Sequence, residues 1–302
     1  MMRKDLLTEI LDDLKIEAIE NYPTYKLSSF EIGGIAKIAV FPKNSGEFCK
    51  ILSFLKDERE KFAVIGNCTN TFFDDCGYNG TVISTKFMNR IFVKDDTITA
   101  DCGALISDCA VLAMNNHLSG IEFVCGIPGS VGGAIYMNAS AFGDSVSKVV
   151  TKSTVFDQNS KEIRIMSAEE HDFNSKQSIF SKNKNLIVLS TEFKLSKANK
   201  EEIKSTLEEI IKKRIRSQPL DIGNCGSTFK RPDGFFASKL IDEVGAKGMR
   251  VGGATVSAKH AGFIVNSDNA TAIDVLTLIE MIKTRVYDEF GISLEEEVIF
   301  LK

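Results

Sequence analysis

Apolar and polar positions repeat along this chain with two different periods, and the switches between them divide it. Leu6, Leu7, Ile10, Leu11 and Leu14 lie between charges at helical spacing, which predicts an amphipathic first helix. Tyr22-Pro23 breaks that pattern. The apolar run Ala36 to Phe41, a helical stretch near Glu47 to Glu60 and the strand-like Phe62-Ala63-Val64-Ile65 then alternate as an α/β unit over residues 1–86. From 87 the texture changes. Ile91-Phe92-Val93, Asp95-Asp96 and Thr97-Ile98-Thr99 predict a hairpin, and Ile106, Ala110, Val111 and Met114 a helix. Strands at Thr154-Val155-Phe156, Glu162-Ile163-Arg164-Ile165 and Leu186-Ile187-Val188-Leu189 complete a second α+β region, 87–198. Ile203, Leu207, Ile210 and Ile211 place a helix from Asn199 to Arg216 that opens a third region, 199–291. That region continues through helices at Lys239-Leu240-Ile241 and at Ala272, Val275, Leu276, Ile279 and Ile282, and Glu297 to Leu301 ends the chain as a strand. No internal repeat or low-complexity linker separates the regions.

Composition narrows the function classes. With 302 residues, 43% hydrophobic and 26% charged, the sequence is that of a globular chain of about two ordinary domains. A net charge of -4 gives no basic signature for nucleic acid or an anionic membrane. An anionic ligand must then be held by local devices, such as backbone amides and a few placed cations. The seven cysteines form no CxxC pair, and the three histidines, His117, His171 and His260, stand far apart, so no metal site is expected. The cysteines are expected as small buried hydrophobes in a reducing compartment. No apolar run approaches membrane-spanning length and no secretory segment is evident, which predicts a cytoplasmic protein.

Four stretches could carry chemistry. Gly126-Ile127-Pro128-Gly129-Ser130-Val131-Gly132-Gly133-Ala134 lets backbone come close to a ligand and offers successive amides, though a tight turn between packed elements explains it equally well. It is neither a Walker loop nor a GxGxxG turn. Gly66-Asn67-Cys68-Thr69-Asn70 follows a buried strand and could present amides and hydroxyls to a phosphate, or be an ordinary loop. In Asn224-Cys225-Gly226-Ser227-Thr228-Phe229-Lys230-Arg231-Pro232 a serine sits between a glycine and cations. Nucleophile, proton donor and phosphate ligand are open roles, and the absence of GxSxG context disfavours hydrolysis. Glu295-Glu296-Glu297 is a solvated face by charge, except that Glu297 adjoins an apolar strand and can turn inward.

Taken in order, these pieces resemble the UDP-N-acetylenolpyruvoylglucosamine reductase family across nearly the whole chain. The resemblance is carried by Ser29-Phe30-x-Ile32-Gly33-Gly34, the turn ending at Asn70, Gly120 to Ala134, Met137-Asn138-Ala139 and Ser178-Ile179-Phe180. It continues through Arg214-x-x-x-Gln218-Pro219-Leu220, Gly226-Ser227-x-Phe229, Val256-Ser257-x-Lys259-His260-Ala261-x-Phe263-x-Val265-Asn266 and Leu294-x-x-Glu297-Val298. Gly226-Ser227 runs on to Val256-Ser257 without an extra segment, which is similar to the family's shorter subclass.

The resemblance implies an α+β fold: two α+β subdomains that hold FAD and a third α+β domain that binds substrate. The strand within 292–302 would return to the second subdomain. It implies NADPH as hydride donor, non-covalent FAD, and reduction of UDP-N-acetylglucosamine enolpyruvate to UDP-N-acetylmuramate by hydride from flavin N5. That is a cytoplasmic step of peptidoglycan and cell-wall synthesis, and so of cell shape and division, performed by a monomer with no nucleic-acid or membrane partner. Ser227 would donate the proton, Glu297 would be the second acid–base residue, and Lys176 would stabilise developing charge. Gly66, Asn67, Cys68, Thr69, Asn70, Gly126, Ile127, Pro128, Gly129, Ser130, Gly132, Gly133 and Ala134 would hold the cofactor. Arg214, Gln218, Lys230, Arg231, Lys259 and His260 would hold the substrate. Ser175-Lys176 replaces the family's Tyr-Arg pair; Cys68, Asp101 and Ser140 replace glycines, and Ile35 a proline. Two alternatives follow: a diverged paralogue that binds flavin or nucleotide with weak or no reductase activity, or another FAD oxidoreductase of the same superfamily acting on an alcohol.

Overall fold

A computed structural model describes residues 2–13 and 15–302, with the side chains of 2–6 outside that description. Leu14 and the Leu6 side chain of the expected apolar stripe thus lie outside the described residues. The helix itself spans Met2–Asp13, with Leu11 buried. The fold is α+β and divides into two compact units. One comprises Met1–Glu20, Ile38–Asn67 and Gly80–Ile211, the other Asn21–Lys37, Cys68–Asn79 and Lys212–Lys302.

The first unit carries most of a four-stranded sheet and a five-stranded sheet, besides two short two-stranded pairs. In the four-stranded sheet, the strand order is Glu17–Pro23, Ile35–Phe41, Tyr78–Ser84, Phe62–Ile65, with the last pair parallel. The helix Ser45–Asp57 starts where the Asn44 side chain accepts from Glu47 N at 3.0 Å. Its Phe48, Ile51, Leu52 and Leu55 recur at i, i+3, i+4 and i+7 and are buried in the core, which is why this stretch is helical. The larger sheet is antiparallel, in the order Glu162–Ser167, Val150–Asp157, Leu186–Lys194, Thr97–Asp101, Ile91–Lys94. The predicted hairpin is its outer pair. The strand Glu17–Pro23 was not expected from the sequence. It lies at a sheet edge and is mostly exposed, so Glu17, Glu20 and Asn21 are tolerated there and the apolar alternation that announces a strand is missing. Pro23, taken from the sequence as a break, is its last residue, where a missing N–H is tolerated.

The second unit is built around the helix Ala272–Phe290. Thr271 and Asp274 cap it reciprocally, Asp274 N donating to Thr271 Oγ1 (3.2 Å) and Thr271 N to Asp274 Oδ2 (2.9 Å). Val275, Leu278, Ile279, Ile282 and Val286 are buried along one stripe, and Gly291 at φ 66° ends the helix. Around it lie the helix Ala237–Glu243, the small antiparallel sheet of Arg250–Val251, Ala254–Val256 and Ile264–Asn266, and a parallel pair between Ile299–Leu301 and Thr71–Phe73. The final strand thus begins at Ile299, and Glu297 stands just ahead of it. No helix among the described residues is long and apolar enough to cross a membrane.

Candidate active site

In the first unit the strand Phe62–Ile65 runs into Gly66, which meets the glycine-rich loop. A Cβ on Gly66 would overlap Ser130 Oγ, and one on Gly132 would lie 3.1 Å from both Cβ and O of Cys102. Asn67 Nδ2 donates to Pro128 O at 2.5 Å, fixing the turn to the loop. Ser130 caps the short helix Val131–Tyr136, its hydroxyl accepting from Gly133 N at 3.2 Å. The loop is itself anchored: Ile106 N donates to Gly129 O, Val131 N to Ala104 O and Gly132 N to Cys102 O, at 2.7–3.0 Å. The N–H groups of Gly66, Asn67, Gly126, Gly129 and Ser130 find no protein acceptor among the described residues. Backbone stripped of side chains, rigidly held and with spare donors, is what a pyrophosphate requires. The residues present therefore fit the phosphate-bearing part of a dinucleotide.

The same unit carries the turn that bears Lys176. Asn174 and Gln177 exchange N–H···O bonds (3.0 and 3.2 Å) around Ser175 and Lys176, and Lys176 takes φ 55°. Positive φ at the third residue makes this a type II-like turn. Asn138 Nδ2 donates to Asn174 O (3.0 Å) and Asn138 Oδ1 accepts from Ser147 N (3.2 Å). Ser178 Oγ donates to Tyr136 O at 2.7 Å. The turn bearing Lys176 is thereby tied to the residues that directly follow the glycine loop. Lys176 is half-buried. Asn138 belonged to a quoted motif without a role; its two bonds now supply one.

The second unit holds residues 68–70 of the other glycine-led turn, with Ser227 and Glu297. Cys68 sits at φ 49°, in the left-handed region, which accounts for glycine being usual there. Its buried thiol donates to Thr71 O at 3.4 Å, as does that of Cys225, also at 3.4 Å. Burial pushes the Cys68 thiol up strongly and the Cys225 thiol up to about 12, so both stay protonated donors. Gly226 takes φ 74° behind Asn224, whose Oδ1 accepts from Gly226 N at 2.9 Å, and this places Ser227 exposed. Thr228 then joins two segments. Its N–H donates to Gly262 O (2.8 Å), its Oγ1 accepts from Ile264 N (3.3 Å) and its carbonyl accepts from Glu297 N (2.8 Å). Glu297 is thus set opposite the residue next to Ser227. Asn70 completes the arrangement: its Nδ2 donates to Glu297 O at 2.9 Å and its carbonyl accepts from Ile299 N at 2.9 Å.

The acidic triplet resolves into different environments. Glu295 is exposed and pairs with Lys230 at 3.0 Å. Glu296 pairs with Lys283 at 2.8 Å; burial is the largest single influence and raises its pKa, but the bond to Lys283, a backbone bond and the charges of Lys283 and Lys230 together outweigh it and the net shift is downward. Glu297 is half-buried.

Several expected substrate ligands have partners inside the unit. Lys259 Nζ donates to Ile215 O at 2.6 Å, and Gln218 N to Arg214 O at 2.8 Å. Arg231 Nε donates to Phe235 O (3.1 Å), and its guanidinium lies 3.9 Å from the Phe236 ring centroid. Arg214 is buried. His260 Nδ1 accepts from Gly262 N at 3.1 Å, and burial holds its pKa below the ordinary value. Among the described residues no group of His, Cys, Asp and Glu could hold a metal ion.

Comparison with known proteins accords with this geometry. Residues 36–166 match a family model described as "FAD binding domain", and residues 218–301 match "UDP-N-acetylenolpyruvoylglucosamine reductase, C-terminal domain". The chain is 42% identical over 294 residues to a reductase of that name from Caldanaerobacter subterraneus subsp. tengcongensis, covering 97% of this chain and 96% of that one. It is 40% identical over 303 residues to the one from Clostridioides difficile, covering 100% and 99%. The crystal structure of the enzyme from Thermus caldophilus superposes with a TM-score of 0.79 at 29% identity, covering 95% of this chain and 99% of that one. An FAD-binding domain joined to this second unit defines an FAD-dependent oxidoreductase. Within that class, the chain belongs to the UDP-N-acetylenolpyruvoylglucosamine reductase family.

Proposed function

We propose that this protein reduces UDP-N-acetylglucosamine enolpyruvate to UDP-N-acetylmuramate with NADPH, as a cytoplasmic monomer that supplies peptidoglycan precursor for cell-wall growth, cell shape and division. FAD, when bound, supplies the hydride that it takes from NADPH. Residues 1–86 and 87–198 are its FAD-binding subdomains and 199–291 bind substrate; the strand in 292–302, expected to return to the second subdomain, pairs with Thr71–Phe73 instead. The glycines and amides of 66–70 and 126–134 hold the pyrophosphate and keep the cofactor oriented.

The protein's own task is the single proton that completes the reduction and the charge that precedes it. Hydride addition to the enolpyruvyl double bond leaves negative charge on the adjacent carbon and its carboxylate, which preorganised cations and donors must meet. Lys176 does so as a point charge, without a planar fork. Ser227 gives its hydroxyl proton to the carbanionic carbon; a serine is a weak acid, so this works only against a strongly basic carbon held in place. Glu297 is the second acid–base group. Arg214, Gln218, Lys230, Arg231, Lys259 and His260 contribute to substrate binding. The carrying observation is the bond from Glu297 N to Thr228 O, which binds the glutamate's backbone beside Ser227.

Anaerobic mixing of purified yellow protein with NADPH, then with the enolpyruvyl substrate, tests the reading. Flavin absorbance should bleach in the first step and recover in the second. Colourless protein that cannot take up FAD would sink the enzymatic reading. Bleaching without recovery would favour a diverged paralogue.

A further inference from the structure

His171 lies in the short turn Glu169–His171, fully buried, and the proposed chemistry does not use it. Both ring nitrogens are engaged: Nδ1 is 2.5 Å from Ser167 O, and Nε2 is 2.9 Å from Ser153 Oγ. A carbonyl only accepts, so Nδ1 carries the proton and Nε2 accepts from the Ser153 hydroxyl. Ser153 Oγ in turn accepts from Thr191 Oγ1 at 2.9 Å. Ser153 and Thr191 face each other on Val150–Asp157 and Leu186–Lys194, so the central sheet sets the plane of the imidazole.

Two rings rest on that imidazole. Phe173 stacks at 5.1 Å and 16°, and Phe180 meets it edge-on at 5.3 Å and 68°. They flank the turn Asn174 to Gln177 on both sides in sequence, and that turn holds Lys176 at φ 55°. A lysine in the left-handed region is strained, so the turn persists only because its surroundings determine it. The ties at Asn138 and Ser178 fix its backbone on one side. The two phenylalanines fix it on the other, and the imidazole fixes them.

We infer that His171 is a positioning residue for Lys176: its sheet-anchored ring holds Phe173 and Phe180, and through them the turn that presents the cation. The inference rests on the reading of Lys176 as the cation used in the reduction. A histidine that merely filled the core would, when replaced, lower stability without singling out one half-reaction, and its effect would multiply with that of Lys176→Ala.

The test compares His171→Phe, His171→Gln, Lys176→Ala and the double variant His171→Phe/Lys176→Ala in the full FAD-loaded chain. His171→Phe keeps ring packing and removes both hydrogen bonds. It should slow reoxidation of reduced flavin by substrate roughly 10- to 100-fold, the penalty for a misplaced group, and leave flavin reduction by NADPH unchanged. The double variant should be no slower than Lys176→Ala, because the two act as one unit. His171→Gln, which keeps a donor and an acceptor, should recover part of the loss. In flavin-free protein, the amides of Asn174 and Gln177 should exchange with solvent at least about tenfold faster in His171→Phe. Multiplicative slowing, or unchanged exchange at those amides, would overturn the inference. If Lys176→Ala alone leaves reoxidation intact, the Lys176 reading is what fails, and amide exchange then decides whether His171 holds the turn. Should His171→Phe fail to accumulate, His171→Gln carries the same comparison, with slower reoxidation and faster exchange expected and wild-type values in both overturning it.

Discussion

Lys176 in the first unit and Glu297 in the second both sit on irregular backbone, but they are held by different means. The Lys176 turn depends on side chains reaching in from elsewhere: Asn138 to Asn174 O, Ser178 to Tyr136 O, and the rings packed on His171. Glu297 depends on main chain: its N–H bonds Thr228 O, Lys230 N bonds Glu295 O and Ile299 N bonds Asn70 O. A side-chain scaffold can be lost through a single remote substitution. A main-chain ladder is indifferent to most neighbouring identities, and here the Asn70 side chain also bonds the backbone of Glu297.

The sharpest separation of the two comes from Ser227→Ala. Ser227 is exposed on the segment held by the ladder, so removing its hydroxyl should leave stability within about 0.5 kcal/mol. Reoxidation by substrate should fall by about 10²–10⁴-fold, the usual value of a positioned proton donor, with flavin reduction by NADPH intact. Stopped-flow measurement of both half-reactions decides it; equal losses in both would make Ser227 structural.

Asn70→Ala strikes the ladder at its exception. It deletes the bond to Glu297 O but keeps the main-chain bond from Ile299. Urea unfolding should show a loss of about 1–3 kcal/mol, and reoxidation should slow by roughly 10- to 100-fold while FAD stays bound. Normal turnover in Asn70→Ala would show that the ladder alone suffices.

The two regions also differ in how far the sequence revealed them. Ile51, Leu55, Val275 and Ile282 announce their helices because burial and helical period coincide there. Gly66, Ser130, Ser227 and Glu297 were singled out by ordered resemblance, and the structure adds their local geometry: a Cβ on Gly66 would overlap Ser130 Oγ, and Glu297 N donates to Thr228 O. The strand Glu17–Pro23 was not legible, since an exposed edge needs no apolar alternation. Nor was the use of His171 and Asn138. Asn138 bonds Asn174 and Ser147, 36 and 9 positions away, and His171 reaches Ser153, 18 positions away on another strand, so these contacts lie beyond any local periodicity. Asn70 was expected to hold the cofactor; the structure adds that its side-chain Nδ2 donates to Glu297 O.

Acidification probes the side-chain scaffold specifically. Burial holds the pKa of His171 below its ordinary 6.5, with the bonds to Ser167 and Ala168 and the charges of Glu170 and Glu169 opposing that shift. The unfolded chain therefore binds the extra proton first, and stability falls as pH drops through 6.5 toward the lower folded value. The limiting slope is about 1.4 kcal/mol per pH unit for one proton. His260, also lowered by burial, contributes in the same sense. Wild type and His171→Gln compared by urea unfolding between pH 7 and 5.5 should differ in slope, the variant being flatter. Equal slopes would mean that His171 does not titrate on unfolding.

The smallest effect separates stability from function at one residue. Lys176 occupies φ 55°, where a Cβ is strained and glycine is not. Lys176→Gly relieves that strain but gives the unfolded chain more freedom, so the net gain in stability should be only about 0.5–1 kcal/mol. Its turn hydrogen bonds are between Asn174 and Gln177 and are untouched by the change. The variant should therefore melt slightly higher than wild type and still reoxidise slowly, because the cation is gone. Lys176→Arg keeps both the strain and the charge, and should match wild-type stability with reoxidation equal or faster. A Lys176→Gly protein that is less stable than wild type would show that the lysine side chain itself helps to hold the turn, and the contrast with the main-chain ladder at Glu297 would then be sharper than the backbone bonds alone imply.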